Sequence, residues 1–180
     1  MKKLIIILLI VSFNTYALSP TQAAETVIKM TSSFIPQTDG KRTIAEMYSV
    51  DNNVVHKLVF HFLDKDFKNN YRKLFGAKDA KLLIDLHSRA HGILSSAEMC
   101  LNDNAFTEAL NLGVYMIYEF YDNDGNFIYK YGFDKSACST VARDYNAIIK
   151  KLGKNLDPIW ESEWLKASKK YYPFFLYLLV

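Results

Sequence analysis

The sequence predicts a mainly α-helical protein: a single helical domain stapled by one disulfide, with a β-hairpin near residues 114–133. Three observations carry this. From Thr43 onward, apolar residues recur mostly at i, i+3 and i+4, the spacing of a helix with one buried face. Gly and Pro are sparse, 7 and 4 in 180 residues, so the chain has few obligatory breaks. The only cysteines, Cys100 and Cys138, lie downstream of a leader-like N-terminus, the setting in which a pair oxidises. Apolar residues make up 50% and charged residues 23%, which supports a packed core and excludes wholesale disorder.

The N-terminus reads as an export signal. Lys2 and Lys3 precede an apolar run from Leu4 to Phe13, and small or polar residues follow. The run is about half the roughly 20 residues a membrane-spanning helix needs. Residues 1–17 are therefore expected to be a cleaved signal peptide, with cleavage after Ala17 or as late as Ala23. Of the 22 basic residues, Lys2 and Lys3 leave with the leader, so 20 face 19 acidic ones. A surface that close to neutral gives no electrostatic reason to bind nucleic acid.

Residues 18–42 read as an irregular segment, closed by the turn-forming Pro36-Gln37-Thr38-Asp39-Gly40, with Val27, Ile28 and Met30 as a short strand. A helical domain spans 43–180. Ile44, Met47 and Tyr48 sit at helical spacing. Asp51-Asn52-Asn53 reads as an N-cap cluster for a helix carrying Val54, Val55, Leu58, Val59, Phe62 and Leu63. Gly76 reads as a stop. A second helix runs from Ala77 to Cys100, weakened or bent at Gly92, and a third from Ala105 to Leu112. Residues 114–133 form two β-rich runs around Asp124-Gly125, a favourable hairpin dipeptide, with continuation of the preceding helix as the competing reading. Helices over 136–152 and from Asp157 onward complete the chain, the last broken at Pro173.

Candidate chemistry is thin. His87 and His91, four apart on the expected helix, face the same way and suit a shared zinc or copper ion. The residue after the first histidine is Ser88, not the Glu of a zinc protease, so the general base is missing. His56 and His61 read as structural or surface residues. The stretch from Asp122 to Asn126 has a calcium-loop flavour, but Gly125 falls at the fourth place of such a loop and Phe133 at the twelfth, so a β-turn is preferred. No nucleophile elbow or glycine-rich phosphate loop is visible. Trp160, Trp164, Tyr171, Tyr172, Phe174 and Phe175 crowd a C-terminal segment that either packs into the body or serves as an interface.

The expected function is accordingly that of an exported, periplasmic or secreted, non-enzymatic protein without a cofactor, whose partner is another protein: an immunity protein, a chaperone or a secretion accessory. The alternatives are a metal-binding protein or metal-dependent hydrolase using His87 and His91, and a membrane-surface or lipid-binding protein using the aromatic C-terminal segment.

Overall fold

The computed structural model describes residues 18–38, 42–61, 63–102 and 104–152. The leader, and the C-terminal segment with Trp160, Trp164, Tyr171, Tyr172, Phe174 and Phe175, lie outside the described residues. So do several side chains within the helices, His87 among them.

The chain begins with helix α1, Pro20–Thr31. Ser19 caps it in a reciprocal box: its hydroxyl accepts from the Gln22 N–H while the Gln22 side chain accepts from the Ser19 N–H. Pro20 at the first position is pre-set for the helix. Strands β1 (Gln37–Thr38), β2 (Arg42–Val50) and β3 (Asn53–Phe60) follow as antiparallel neighbours. Asp51 takes the left-handed conformation (φ 54°) in the tight turn between β2 and β3. The long element α2, Lys65–Leu101, and the short α3, Ala105–Asn111, cross over to strand β4, Tyr115–Asp122, which pairs parallel with β3. Strand β5, Phe127–Phe133, returns antiparallel, and α4, Cys138–Leu152, closes the described chain.

The architecture corrects the expectation of a mainly helical domain. Its centre is a five-stranded mixed sheet in the order β1-β2-β3-β4-β5. The segment read as irregular contains α1, which also holds Val27, Ile28 and Met30. Residues 43–48 and 54–60, read as helix, are strands β2 and β3. The physical reason lies in β3. It is a central strand paired parallel on one side, with Val54 and Leu58 buried on one face and Val55 on the other. Burial on both faces removes the polar alternation that marks a strand and leaves an apolar run that also fits helical spacing. Asp51-Asn52-Asn53 turns a hairpin instead of capping a helix. Gly76 does act as the expected stop: at φ 77° and ψ 162° it is non-helical, so α2 is two helices, 65–75 and 77–101, meeting at a kink.

Register assigns the faces. The inner face carries Val54, Leu58 and Phe60 of β3, Met116 and Phe120 of β4, and Phe133 of β5, all in the core cluster. Ala23, Ala24 and Val27 of α1, Met99 of α2, and Ala109 and Leu110 of α3 join them. Helix α4 packs on α2. The outer face therefore carries no described helix. Cys100, at the end of α2, and Cys138, at the start of α4, lie with their sulfurs at bonding distance, 2.09 Å, and clamp the two helices together.

Candidate functional site

The outer face is ordered in rows across the strands, because each register pair places two side chains side by side. One row is a ladder of alternating charge: Glu46 on β2 faces Lys57 on β3, Lys57 faces Glu119 on β4, and Glu119 faces Lys130 on β5. Lys57 Nζ lies 3.4 Å from Glu46 Oε1, and Lys130 Nζ lies 3.6 Å from Glu119 Oε1. The row on one side runs Tyr48, Val55 and Ile117. On the other side Val59 is followed by Tyr121 and Phe127, whose rings meet edge to face at 5.8 Å. The Tyr121 hydroxyl donates to Glu119 Oε2 at 3.1 Å, and Lys57 Nζ sits 5.1 Å from the centre of the Tyr121 ring. Burial first, and then the carboxylates of Glu119 and Glu46, hold the Tyr48 phenol above its ordinary pKa; burial and Glu119 do the same for Tyr121.

Exposed ion pairs of this kind add at most about 1 kcal/mol each to stability. Their fixed alternation suits recognition better, since charges across an interface set register and exclude wrong partners. The apolar part of the face is buried at its centre, where Val55 and Ile117 lie, and exposed toward its edges. Of the five large hydrophobic residues exposed among the described residues, Tyr48 at 38%, Val50 at 52% and Phe127 at 57% belong to this face; Phe34 and Leu101 lie elsewhere.

The histidines are placed by other forces. His91 points into the core between the rings of Phe60 and Phe120, with centroids at 5.2 and 5.8 Å. Its Nε2 is held by the Arg42 guanidinium, and its Nδ1 lies 3.3 Å from the Ser95 hydroxyl. Burial, and then the positive charge of Arg42, push its pKa well below the ordinary value. A metal ion at His91 would have to displace that guanidinium, and the described residues hold no group of three or more His, Cys, Asp or Glu side chains able to bind one. His56 is buried against Tyr118 and Phe106, and its Nε2 has no hydrogen-bond partner among the described residues; burial lowers its pKa to about 4. His61 bridges the sheet end: its Nε2 lies 2.7 Å from the Thr43 hydroxyl and its Nδ1 3.1 Å from Asn123 Oδ1.

Asp122, at the head of the β4–β5 turn, is filled from within the protein. Its Oδ1 accepts from the N–H groups of Asp124 (2.9 Å) and Asn126 (2.8 Å), and its Oδ2 accepts from Lys68 Nζ at 2.6 Å. Those donors satisfy the oxygens a cation would need.

The outer-face residues Tyr48, Lys57, Glu119 and Tyr121 were not legible as a site, because β2 and β3 read as helix. The alternation of β2 shows only in the folded strand, since Met47 and Tyr48 are adjacent and both apolar while Ser49 faces inward and Val50 outward.

Neither a family model nor a curated protein matches this chain. Three solved structures resemble it, each over 66% of its length. One is a Pseudomonas aeruginosa protein described as secreted, at 16% identity, TM-score 0.46 and 92% of that chain. The others are type II secretion pilotins: EpsS of Vibrio vulnificus, at 15% identity, TM-score 0.45 and 91% coverage, and AspS of Vibrio cholerae, at 15% identity, TM-score 0.42 and 92% coverage. At such identities and scores the likeness carries nothing about function.

Proposed function

We propose that this chain is an exported, non-enzymatic protein that holds another protein against the outer face of its sheet. The observation that carries this reading is the composition of that face. Exposed Tyr48, Val50 and Phe127 flank a ladder of alternating charge, and no described helix covers them. Tyrosine and phenylalanine are the residues that anchor interfaces, and exposed apolar surface rimmed by charge is the usual sign of one. The partner that fits presents an apolar strip flanked by basic groups opposite Glu46 and Glu119 and acidic groups opposite Lys57 and Lys130.

Export is supported by the leader-like residues 1–17 and by the bonding distance between the Cys100 and Cys138 sulfurs, a pair that forms outside the reducing cytosol. A secretion accessory, an immunity protein and a chaperone are all forms of this role.

The test is affinity purification of the tagged protein from its own cells, in wild type and in Tyr48→Asp, Phe127→Asp and Phe34→Asp variants. The same stoichiometric protein should accompany wild type and Phe34→Asp and be lost from the two outer-face variants. Equal retention by all four forms would place the interaction elsewhere.

A further inference from the structure

Resting on the docking reading above, we propose that the outer face also pairs with a second copy of itself, across a two-fold axis that runs along the strands midway between β3 and β4. The observation that carries this is the order of the charged row. Across β2, β3, β4 and β5 it reads Glu46, Lys57, Glu119, Lys130. Read backwards, the same row is Lys, Glu, Lys, Glu. A two-fold axis along the strands lays the row on its own reverse, so every charge meets its opposite: Glu46 faces Lys130 of the second copy, and Lys57 faces Glu119 of the second copy. A two-fold axis along the row would instead set each charge against its like. The carboxylates are already paired within the row, Glu46 with Lys57 and Glu119 with Lys130, and those pairs stay intact. The second row adds one more opposite neighbour to each charge, and groups paired beforehand enter the contact with their mutual attraction in place.

The uncharged rows fit the same axis. On one side the row is Tyr48, Val55, Ile117 and Gly132. Laid on its reverse, the exposed Tyr48 ring meets Gly132, the position without a side chain, and Val55 meets Ile117. Tyr115 reaches over Gly132 within its own copy, where an added Cβ would sit 2.6 Å from the Tyr115 hydroxyl oxygen. Tyr48 therefore lands on an aromatic floor. On the other side the row is Thr43, Val59, Tyr121 and Phe127, so the exposed Phe127 meets Thr43 and Tyr121 meets Val59. Each row has a large exposed ring at one end and a small residue at the other, as a self-complementary surface requires. The four strands hold 9, 8, 8 and 7 residues, so the face is about 25 Å by about 19 Å, roughly 500 Å² per copy against the ~800 Å² of a standard interface. The contact is accordingly weak and reversible, and a different protein can replace it.

Sedimentation of the purified wild-type protein should show a monomer–dimer equilibrium that weakens as salt is added. Carbodiimide cross-linking needs no substitution. In a mixture of isotopically light and heavy chains it should join Glu46 of one copy to Lys130 of the other; within one copy the two stand three strands apart, about 14 Å, beyond a zero-length link. The sharpest arm inverts the row. Glu46→Lys, Lys57→Glu, Glu119→Lys and Lys130→Glu in one chain keep opposite charges adjacent and keep the row its own complement. That variant should dimerise as wild type does, yet sort away from it on mixing, with at least about tenfold fewer mixed dimers than random pairing gives. A chain that stays monomeric at its highest soluble concentration, a dimer without light–heavy links between Glu46 and Lys130, or free mixing of wild type with the inverted variant would each overturn the inference. If outer-face variants lose a different protein while the chain stays monomeric, this inference falls and the docking reading stands. If copies sort by the charge of the row but no different protein depends on the face, the docking reading falls alone.

Discussion

The ring of Tyr131 on β5 lies directly over Gly92 of α2, so close that a Cβ at position 92 would sit 2.6 Å from the Tyr131 Cγ. No real side-chain carbon approaches that closely. The glycine is therefore the contact that lets the long helix seat on the sheet, and not merely a weak point in it. The Tyr131 phenol, largely buried there, has its pKa raised by that burial against the hydrogen bond from Ser96.

Gly92→Ala accordingly tests the packing of α2. In an exposed helix the change would stabilise by about 1 kcal/mol through propensity. Here it forces Tyr131 or the helix to move, and overpacking of this kind costs about 1–3 kcal/mol. A lowered urea midpoint is expected. Combining it with Tyr131→Ala should recover part of the loss relative to the sum of the two single changes. A stabilised Gly92→Ala protein would mean that the contact is not tight.

Acid should unfold this protein earlier than its carboxylates alone require. His56 titrates at about 4 in the folded state, against about 6.5 in an unfolded chain. Its pKa is lowered on folding, so the stability it contributes is complete above about pH 6.5 and is lost as the pH falls toward about 4, an amount of order 3 kcal/mol. His91 acts in the same direction. His56→Phe removes a buried nitrogen that has no partner among the described residues, so it should leave stability at pH 7 within about 1 kcal/mol of wild type. The variant should also flatten the loss between pH 6.5 and 4 when urea midpoints are followed against pH. An unchanged slope would show that His56 is already protonated in the native state.

The bridge between Cys100 and Cys138 closes a separation of 38 residues. By the chain-entropy relation, that loop is worth about 4 kcal/mol. The Cys100→Ser, Cys138→Ser double variant should lose stability of that order, and dithiothreitol should lower wild type to the same midpoint. A midpoint indifferent to reductant would show that the thiols are free in solution.

The turn between β4 and β5 depends on Asp122. Burial alone would raise the pKa of its carboxyl, but Lys68 and the Asn126 donors outweigh that and hold it below the ordinary carboxylate value. Asp122→Ala leaves two turn N–H groups without their acceptor and Lys68 with only the more distant Asp124, and should cost about 2–4 kcal/mol in thermal or urea unfolding. Asp124→Ala, whose carboxylate is exposed and only 3.4 Å from Lys68, should change stability by less than about 1 kcal/mol. Equal losses would show that the network is not centred on Asp122.

What the sequence made legible follows from how local each signal is. The β4–β5 turn was readable because Asp, Asn and Gly each act within four residues, with Asp122 accepting from its own turn and Gly125 taking a φ of 80°. The helices over 77–100 and 138–152 were readable from periodicity. Strand β3 was not, since Val54 and Leu58 on one face and Val55 on the other leave an apolar run without alternation, and the strand it pairs with lies some sixty residues away. Helix α1 was hidden by its nearness to the leader, although Ser19-Pro20-Thr21-Gln22 spells its capping box. The i, i+4 spacing of His87 and His91 suggested a shared face, but spacing does not say that His91 is turned inward onto Phe60 and Arg42. The outer-face ladder needs four strands in register before Glu46, Lys57, Glu119 and Lys130 become neighbours, and no local pattern announces it.

The most direct measurement is site-resolved photo-cross-linking in the exporting cell. A photoreactive residue is placed in turn at Tyr48, Phe127, Phe34 and Leu101, and the intermolecular adducts are identified by mass spectrometry. One and the same protein captured from positions 48 and 127, and absent from 34 and 101, is the expected result. Capture of a partner from 34 or 101 with none from 48 or 127 would contradict docking on the outer face of the sheet.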